Sequence, residues 1–132
     1  MKKVLLFVIT LSFLTLNSCS SSSDDDSGGS NYPQTVNIKF EALANTGGNL
    51  QVLATTIDND SEDHLETLPF SYTYAQQEVN IGTYLKVQFQ TQSFTIGEEI
   101  ELKILVDNQS VKSEVFTITQ ENQVGSIEYT FE

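Results

Sequence analysis

This 132-residue chain contains one cysteine, Cys19, and one histidine, His64, which are the side-chain types that most often act as nucleophiles, bases or zinc ligands. A zinc site needs several such ligands, and a serine-histidine-aspartate site would have to be built around His64 alone. The 18 acidic residues could supply a carboxylate pair for glycoside hydrolysis. Most of them, such as Glu99 and Glu101, alternate with apolar residues, which favours a solvated strand face. This set of candidate catalytic side chains predicts a protein that is not an enzyme.

Cys19 follows a segment with the pattern of a secretory signal. Lys2 and Lys3 give a basic start, and residues 4–16 form a mostly apolar stretch that is shorter than the roughly 20 residues of a membrane-spanning helix. The sequence Leu16-Asn17-Ser18-Cys19 resembles the lipobox of bacterial lipoproteins, in which the cysteine sulfur receives a diacylglycerol. The resemblance implies a signal peptide over residues 1–18, cleavage after Ser18, and acyl chains such as palmitate on Cys19. The alternative is an ordinary secretory signal that happens to end near a cysteine.

Residues 19–33 predict a flexible linker, because serine, aspartate and glycine dominate and little apolar surface can be buried. As a coil, it would reach about 20 Å. The acidic run Ser23-Asp24-Asp25-Asp26 resembles the export signal that directs lipoproteins of the Bacteroidota to the outer face of the outer membrane. That resemblance implies a cell-surface location. A soluble spacer on the periplasmic face is the alternative.

Residues 34–132 have the length of one domain with a single core. Removing Lys2 and Lys3 with the signal leaves four lysines against 18 acidic side chains, a net charge of −14, and the chain has no arginine. Binding of nucleic acid requires clustered basic side chains, so it is excluded as a partner. The acidity also argues against contact between the domain itself and anionic lipid headgroups.

Apolar residues alternate with polar ones along the whole domain, which is the period of a half-buried strand. The alternating apolar stripes are Val36/Ile38/Phe40/Ala42, Leu50/Val52/Ala54, Leu68/Phe70/Tyr72/Tyr74, Leu85/Val87/Phe89, Ile100/Leu102/Ile104/Val106 and Ile127/Tyr129/Phe131. With a less regular stripe around Val115, the pattern predicts seven or eight strands in an antiparallel two-sheet sandwich. The turn signals at residues 45–48 and Asp107-Asn108 predict hairpin connections throughout.

Three segments resemble the extracytoplasmic domain of the MmpS transport-accessory family. They are residues 68–71 (LPFS), 82–90 (GTYLKVQFQ) and 104–111 (ILVDNQSV). The resemblance implies an immunoglobulin-like β-sandwich and partnership with a resistance-nodulation-division lipid exporter. The chain departs from the family in having Asn108 at a usual glycine position, in lacking cysteines within the domain, and in carrying a lipobox instead of a transmembrane helix.

The segment from Asp58 to His64 is the one local constellation with metal chemistry. Carboxylates at the alternate positions Asp58, Asp60 and Glu62 could converge on a calcium ion, which binds six to eight oxygens. The EF-hand pattern fails, because its glycine would fall on Asp63. The alternative is an ordinary mobile acidic loop between strands that carries His64.

Aromatic side chains suggest a second class of ligand, since exposed rings can stack on the apolar faces of sugars. Tyr72, Tyr74 and Tyr129 share the parity of the apolar stripes and are predicted to face the core. Tyr32 and Tyr84 are predicted to be exposed, and Tyr84 is the candidate ligand-binding residue. The sequence thus favours a lipid-anchored interaction or accessory module of the cell envelope. A surface glycan-binding lipoprotein is the alternative.

Overall fold

The computed structural model describes residues 31–46, 49–64 and 67–132. The predicted signal peptide, its cleavage site at Ser18, the lipidation site at Cys19 and the export signal at residues 23–26 lie outside the described residues. The eight strands are Gln34–Ala44 (β1), Asn49–Ile57 (β2), Asp60–His64 (β3), Phe70–Val79 (β4), Tyr84–Ser93 (β5), Glu99–Val106 (β6), Gln109–Thr117 (β7) and Val124–Thr130 (β8).

The strands form two four-stranded sheets with the orders β4-β1-β6-β7 and β3-β2-β5-β8. Every strand pairing is antiparallel. The sheets pack face to face, which confirms the predicted antiparallel β-sandwich. The edge strands β3 and β4 belong to opposite sheets, as do the edge strands β7 and β8.

The prediction of hairpins throughout is wrong. Only the β2–β3 connection at Asp58-Asn59 and the β6–β7 connection at Asp107-Asn108 join neighbours in one sheet. Left-handed backbone at Asp58, Asp107 and Asn108, with φ of 52°, 47° and 65°, makes these two turns tight. The predicted hairpin at residues 45–48 instead joins β1 to β2 in the facing sheet. A turn signal marks a reversal of the chain, and a reversal can occur within a sheet or between two sheets.

The inward faces of the two sheets form one core. Phe40 of β1 and Phe89 of β5 are its largest fully buried side chains. The other buried apolar residues are Val36, Ile38, Ala42, Leu50, Leu53, Leu68, Phe70, Val79, Leu85, Val87, Ile100, Leu102, Ile104, Ile118, Ile127 and Phe131. Because β1, β5 and β6 contribute regular alternating residues, the predicted stripes on these strands are confirmed.

The predicted stripe on β2 is only partly correct. Leu50 is buried, but the next buried residues are Leu53 and Thr55, whereas Val52 and Ala54 are only half-buried. The pairing of β2 with β5 shifts register between Leu50 and Val52. A β-bulge adds one residue and therefore reverses which side chains face the core. This bulge places the Thr55 hydroxyl in the interior.

The two ends of the sandwich differ in what they carry. We call the end at which β1 begins the N-terminal end, and there Gly82 N–H donates to the Phe131 carbonyl and Asp107 N–H donates to the Asn37 carbonyl. We call the opposite end, with the loop at residues 94–98, the distal end. The chain enters the domain at the N-terminal end, where the Tyr32 ring packs edge-on against Phe131 at 6.4 Å.

Candidate functional site

Asp58 has a structural role in the β2–β3 turn. Its backbone N–H donates to the Tyr84 carbonyl (2.7 Å), and its carboxylate Oδ1 accepts from the Tyr84 backbone N–H (2.8 Å). These two bonds attach the turn to the start of β5. An aspartate with left-handed backbone is well suited to such a turn.

Asp60 and Glu62 lie on a strand rather than in a mobile loop, so that expectation is wrong. An edge strand needs one neighbour for its backbone bonds and can leave its side chains in water, so β3 forms without an apolar stripe. The structure does not bring Asp58, Asp60 and Glu62 together as calcium ligands. Within residues 31–46, 49–64 and 67–132, no group of three His, Cys, Asp or Glu side chains is arranged to hold a metal ion.

A connected group of polar and aromatic side chains lies where side chains of the edge strands β3 and β4, which belong to opposite sheets, meet. We call this group the flank cluster, and its members are Thr55, Glu62, His64, Tyr72 and Tyr74. β2 supplies the threonine, β3 the glutamate and histidine, and β4 the two tyrosines. The cluster is the candidate functional site of the described residues.

Hydrogen bonds link four members of the flank cluster in a chain with one direction. The Tyr74 hydroxyl donates to Glu62 Oε2 (2.8 Å), so its only proton is used there. Thr55 Oγ1 lies 2.7 Å from the Tyr74 oxygen and must therefore donate to it. His64 Nε2 lies 2.9 Å from Thr55 Oγ1 and must carry the proton of that third bond. The second ring nitrogen, Nδ1, takes no part in this chain of bonds.

The rings of the flank cluster are held by successive aromatic contacts. The His64 ring contacts Phe70, at 4.9 Å between ring centroids, and Tyr72, at 5.1 Å. Tyr72 meets Tyr74 edge-on at 4.8 Å, and Tyr74 meets the core residue Phe40 edge-on at 5.9 Å. Such pairs are each worth about 0.5–1.5 kcal/mol beyond their buried area. Tyr72 therefore connects to core residues through two sets of ring contacts, one through Tyr74 to Phe40 and one through His64 to Phe70.

Burial raises the pKa of Tyr74 to about 12, because the charged phenolate would lose hydration. Donation to Glu62 raises the pKa further, since ionisation would remove that bond and place two negative charges together. Donation from Thr55 acts in the opposite direction. Tyr74 is therefore a neutral donor at physiological pH.

The predictions for the tyrosines are partly wrong. Tyr72 is 41% exposed, although its parity points inward, because an edge strand has no neighbour covering its outer side. Tyr74 and Tyr129 are half-buried. Tyr84, the predicted exposed ligand-binding residue, is half-buried beside Glu128, and burial raises its pKa to about 12. Tyr32, also predicted to be exposed, packs against the core.

The flank cluster was not predicted from the sequence. Tyr72 and Tyr74 at alternate positions, a few residues after the only histidine, are the signal that could have suggested it. Thr55 gives no such signal, because the bulge in β2 determines its direction.

The distal end carries an open polar groove of about 460 Å³, lined by Gln92, Ser93, Phe94, Thr95, Glu98 and Glu121. A second groove of about 190 Å³ lies on β1, β6 and β7 and is lined by Leu43, Asn45, Glu99, Glu101 and Val115. Neither groove has a linked network of aromatic and polar side chains like that of the flank cluster.

Comparison of the chain with protein-family models, curated proteins and solved structures found no match. Among the described residues, no helix is long and apolar enough to cross a membrane.

Proposed function

We propose that this protein is a non-enzymatic, lipid-anchored interaction or accessory module of the cell envelope, attached to the outer membrane and displayed at the cell surface. The observation that carries the proposal is the lipobox-like sequence Leu16-Asn17-Ser18-Cys19 after a basic and apolar segment. Two or three acyl chains on Cys19 would make the attachment lasting, whereas a single chain gives only marginal binding.

The position of the chain entry supports this arrangement. Because β1 begins at the N-terminal end, a tether at Cys19 would reach the domain there. Attachment at that end leaves the distal end and the flank cluster available to partners. The strongly acidic surface keeps the domain away from anionic headgroups, since like charges repel.

The β7 strand offers a surface for a protein partner. Most of its side chains are exposed, and it lies at the edge of its sheet, so one side of its backbone has no neighbouring strand in the sheet order. Such an edge can accept a strand from another protein. An envelope transporter, as the MmpS resemblance implies, is one such partner. Crosslinking in intact cells with mass spectrometry of the captured proteins tests this part of the proposal.

Lipidation is tested by feeding cells a fatty-acid probe and measuring the label on the protein. We expect label on the wild type, and on a Ser20→Ala control that changes the neighbouring residue. The Cys19→Ser variant should carry no label and should leave the membrane fraction. An unlabelled wild type would contradict the proposal.

Surface display is tested separately, by adding protease to whole cells. Replacing Asp24, Asp25 and Asp26 by asparagine should protect the protein from cleavage while the fatty-acid label remains. Cleavage equal to that of the wild type would show that the acidic run is a spacer and not an export signal.

A second candidate function is binding of surface glycans. The observation that favours it is the flank cluster, which combines an exposed aromatic ring with polar side chains held in fixed positions.

A further inference from the structure

Three polar atoms of the flank cluster have no hydrogen-bond partner among the described residues, although their side chains are held in place. Glu62 uses Oε2 for Tyr74, which leaves Oε1 without a partner. His64 uses Nε2 for Thr55, which leaves Nδ1 without a partner, and Nδ1 is an acceptor when the ring is neutral. The Tyr72 hydroxyl makes no bond within this part of the chain, and the residue is 41% exposed. Two acceptors, a hydroxyl and a ring therefore lie in one small area.

We propose that the flank cluster is a binding site for a neutral carbohydrate, an inference that rests on the second candidate function. The Tyr72 ring stacks against the apolar face of a pyranose, and Glu62 Oε1 and His64 Nδ1 accept hydrogen bonds from its hydroxyls. A sugar ring has an apolar face, which can pack on the Tyr72 ring. It also has several hydroxyl donors, which can bind the acceptors that have no partner within the cluster.

The ring geometry favours a sugar over an ammonium group. A cation is held by the faces of rings, and a cage requires several faces that converge on one centre. Here the Tyr72 and Tyr74 rings are edge-to-face, with an interplanar angle of 68°, so one ring covers part of the other. Tyr74 is also turned inward onto Phe40. One open ring is a platform for a flat ligand rather than a cage.

The charges around the site favour a neutral sugar over an acidic one. Asp60 and Asp63 lie on the same strand as Glu62, so the negative potential repels a carboxylated or sulfated glycan. The lysines do not compensate, because Lys39, Lys86 and Lys103 are in ion pairs with Glu41, Glu128 and Glu101, respectively. Lys112 lies on β7, which is the opposite edge of the sheet from β4.

The site is organised before the ligand arrives. The hydrogen-bond chain fixes the Glu62 carboxylate and the His64 ring, and aromatic contacts with Phe70 and Tyr72 hold the His64 ring further. Preorganised side chains lose little conformational entropy on binding, so even a small contact area can give measurable affinity.

The test uses the full chain purified in detergent and titrated with neutral hexasaccharides of glucose, N-acetylglucosamine, mannose and xylose. Isothermal titration calorimetry measures the binding, because its signal does not depend on Tyr72, the residue that the test variants replace. We expect saturable binding of at least one of the four sugars. Tyr72→Ala should weaken that binding about tenfold or more, while Tyr72→Phe should retain most of it, because the ring supplies the stacking surface.

Tyr84→Ala is the matched control, since Tyr84 lies on β5 outside the flank cluster. It should bind as the wild type does, and circular dichroism should show that both alanine variants are folded. The proposal is overturned if none of the four sugars binds, if folded Tyr72→Ala binds normally, or if Tyr84→Ala abolishes binding. It is also overturned if polygalacturonate or choline binds at the cluster in preference to the neutral sugars. Any of these results with Cys19 still lipidated would reject the carbohydrate site and leave the lipid-anchored module standing.

Discussion

Replacing Thr55 by valine tests the directed hydrogen-bond chain of the flank cluster. Valine has nearly the same shape as threonine, so the change removes a hydroxyl without opening a cavity. Thr55 is only 1% exposed. Its hydroxyl forms hydrogen bonds with both His64 Nε2 (2.9 Å) and the Tyr74 oxygen (2.7 Å). Thr55→Val therefore deletes two hydrogen bonds and leaves both partners without them.

The expected loss of stability follows from those two bonds. A typical hydrogen bond contributes about 0.5–1.5 kcal/mol net, so two give about 1–3 kcal/mol. His64 and Tyr74 are half-buried, and water can replace part of what they lose. We therefore expect the lower part of that range, about 1–2 kcal/mol. In a domain of this size each kcal/mol lowers Tm by roughly 4–8 °C.

Thr56→Val is the matched control, because it changes the neighbouring threonine of the same strand. The Thr56 hydroxyl bonds to the exposed Ser61 hydroxyl (2.8 Å), and its loss should cost less than about 0.5 kcal/mol. Urea unfolding gives the free energy of unfolding of the two variants and the wild type. Equal costs for Thr55→Val and Thr56→Val would refute the hydrogen-bond chain.

The same variant has a second readout. Donation from Thr55 favours the Tyr74 phenolate, so removing it should raise the pKa of Tyr74 above its value of about 12. Absorbance titration should then show less phenolate at a given alkaline pH in Thr55→Val, and no such change in Thr56→Val. A pKa that falls would mean that the bond runs in the opposite direction.

Two further predictions concern the core and the response to pH. A Cβ on Gly125 would lie 2.5 Å from a Phe89 ring atom, so Gly125→Ala should cost about 1–3 kcal/mol by urea unfolding, and a loss below 0.5 kcal/mol would show that the ring moves freely. Burial raises the pKa of Tyr74 and Tyr84 from 10.0 to about 12, so the folded state holds these protons more tightly than the unfolded chain. The stability that they confer is complete below pH 10 and is lost as the pH rises to about 12. Urea unfolding across that range should show the loss, and a double replacement by phenylalanine should reduce it; an unchanged pH dependence would count against the two shifts.

The sequence predicted the sandwich because residue alternation is a local property. Phe40, Phe89 and Leu102 face the core on strands whose pairing is regular, and their burial follows from parity alone. The alternation predicted the wrong buried residues on β2, because a bulge there exchanges the inward and outward side chains. It also predicted a buried Tyr72, which is exposed because its edge strand has no neighbour covering that position. Both exceptions depend on the neighbouring strands and not on the strand itself.

Which strands pair with each other could not be predicted from local sequence patterns either. The glycine-rich turn after β1 and the aspartate-asparagine turn after β6 give similar signals, yet one crosses between sheets and the other closes a hairpin. The difference depends on which strands are adjacent, and adjacency is settled by packing over the whole core. The acidic strand β3 was missed for a related reason, because its pairing with β2 supplies what its own residues lack.

By itself, the sequence determined the all-β class, the acidic surface without arginine, and the hypothesis of a lipid tether at Cys19, because composition, alternation and a short motif are properties of neighbouring residues. Only the tertiary structure decided that Thr55, Glu62, His64, Tyr72 and Tyr74 meet at one flank. These residues come from three strands and two sheets, so their meeting depends on long-range pairing and on the bulge that turns Thr55 inward. No local pattern encodes such a meeting.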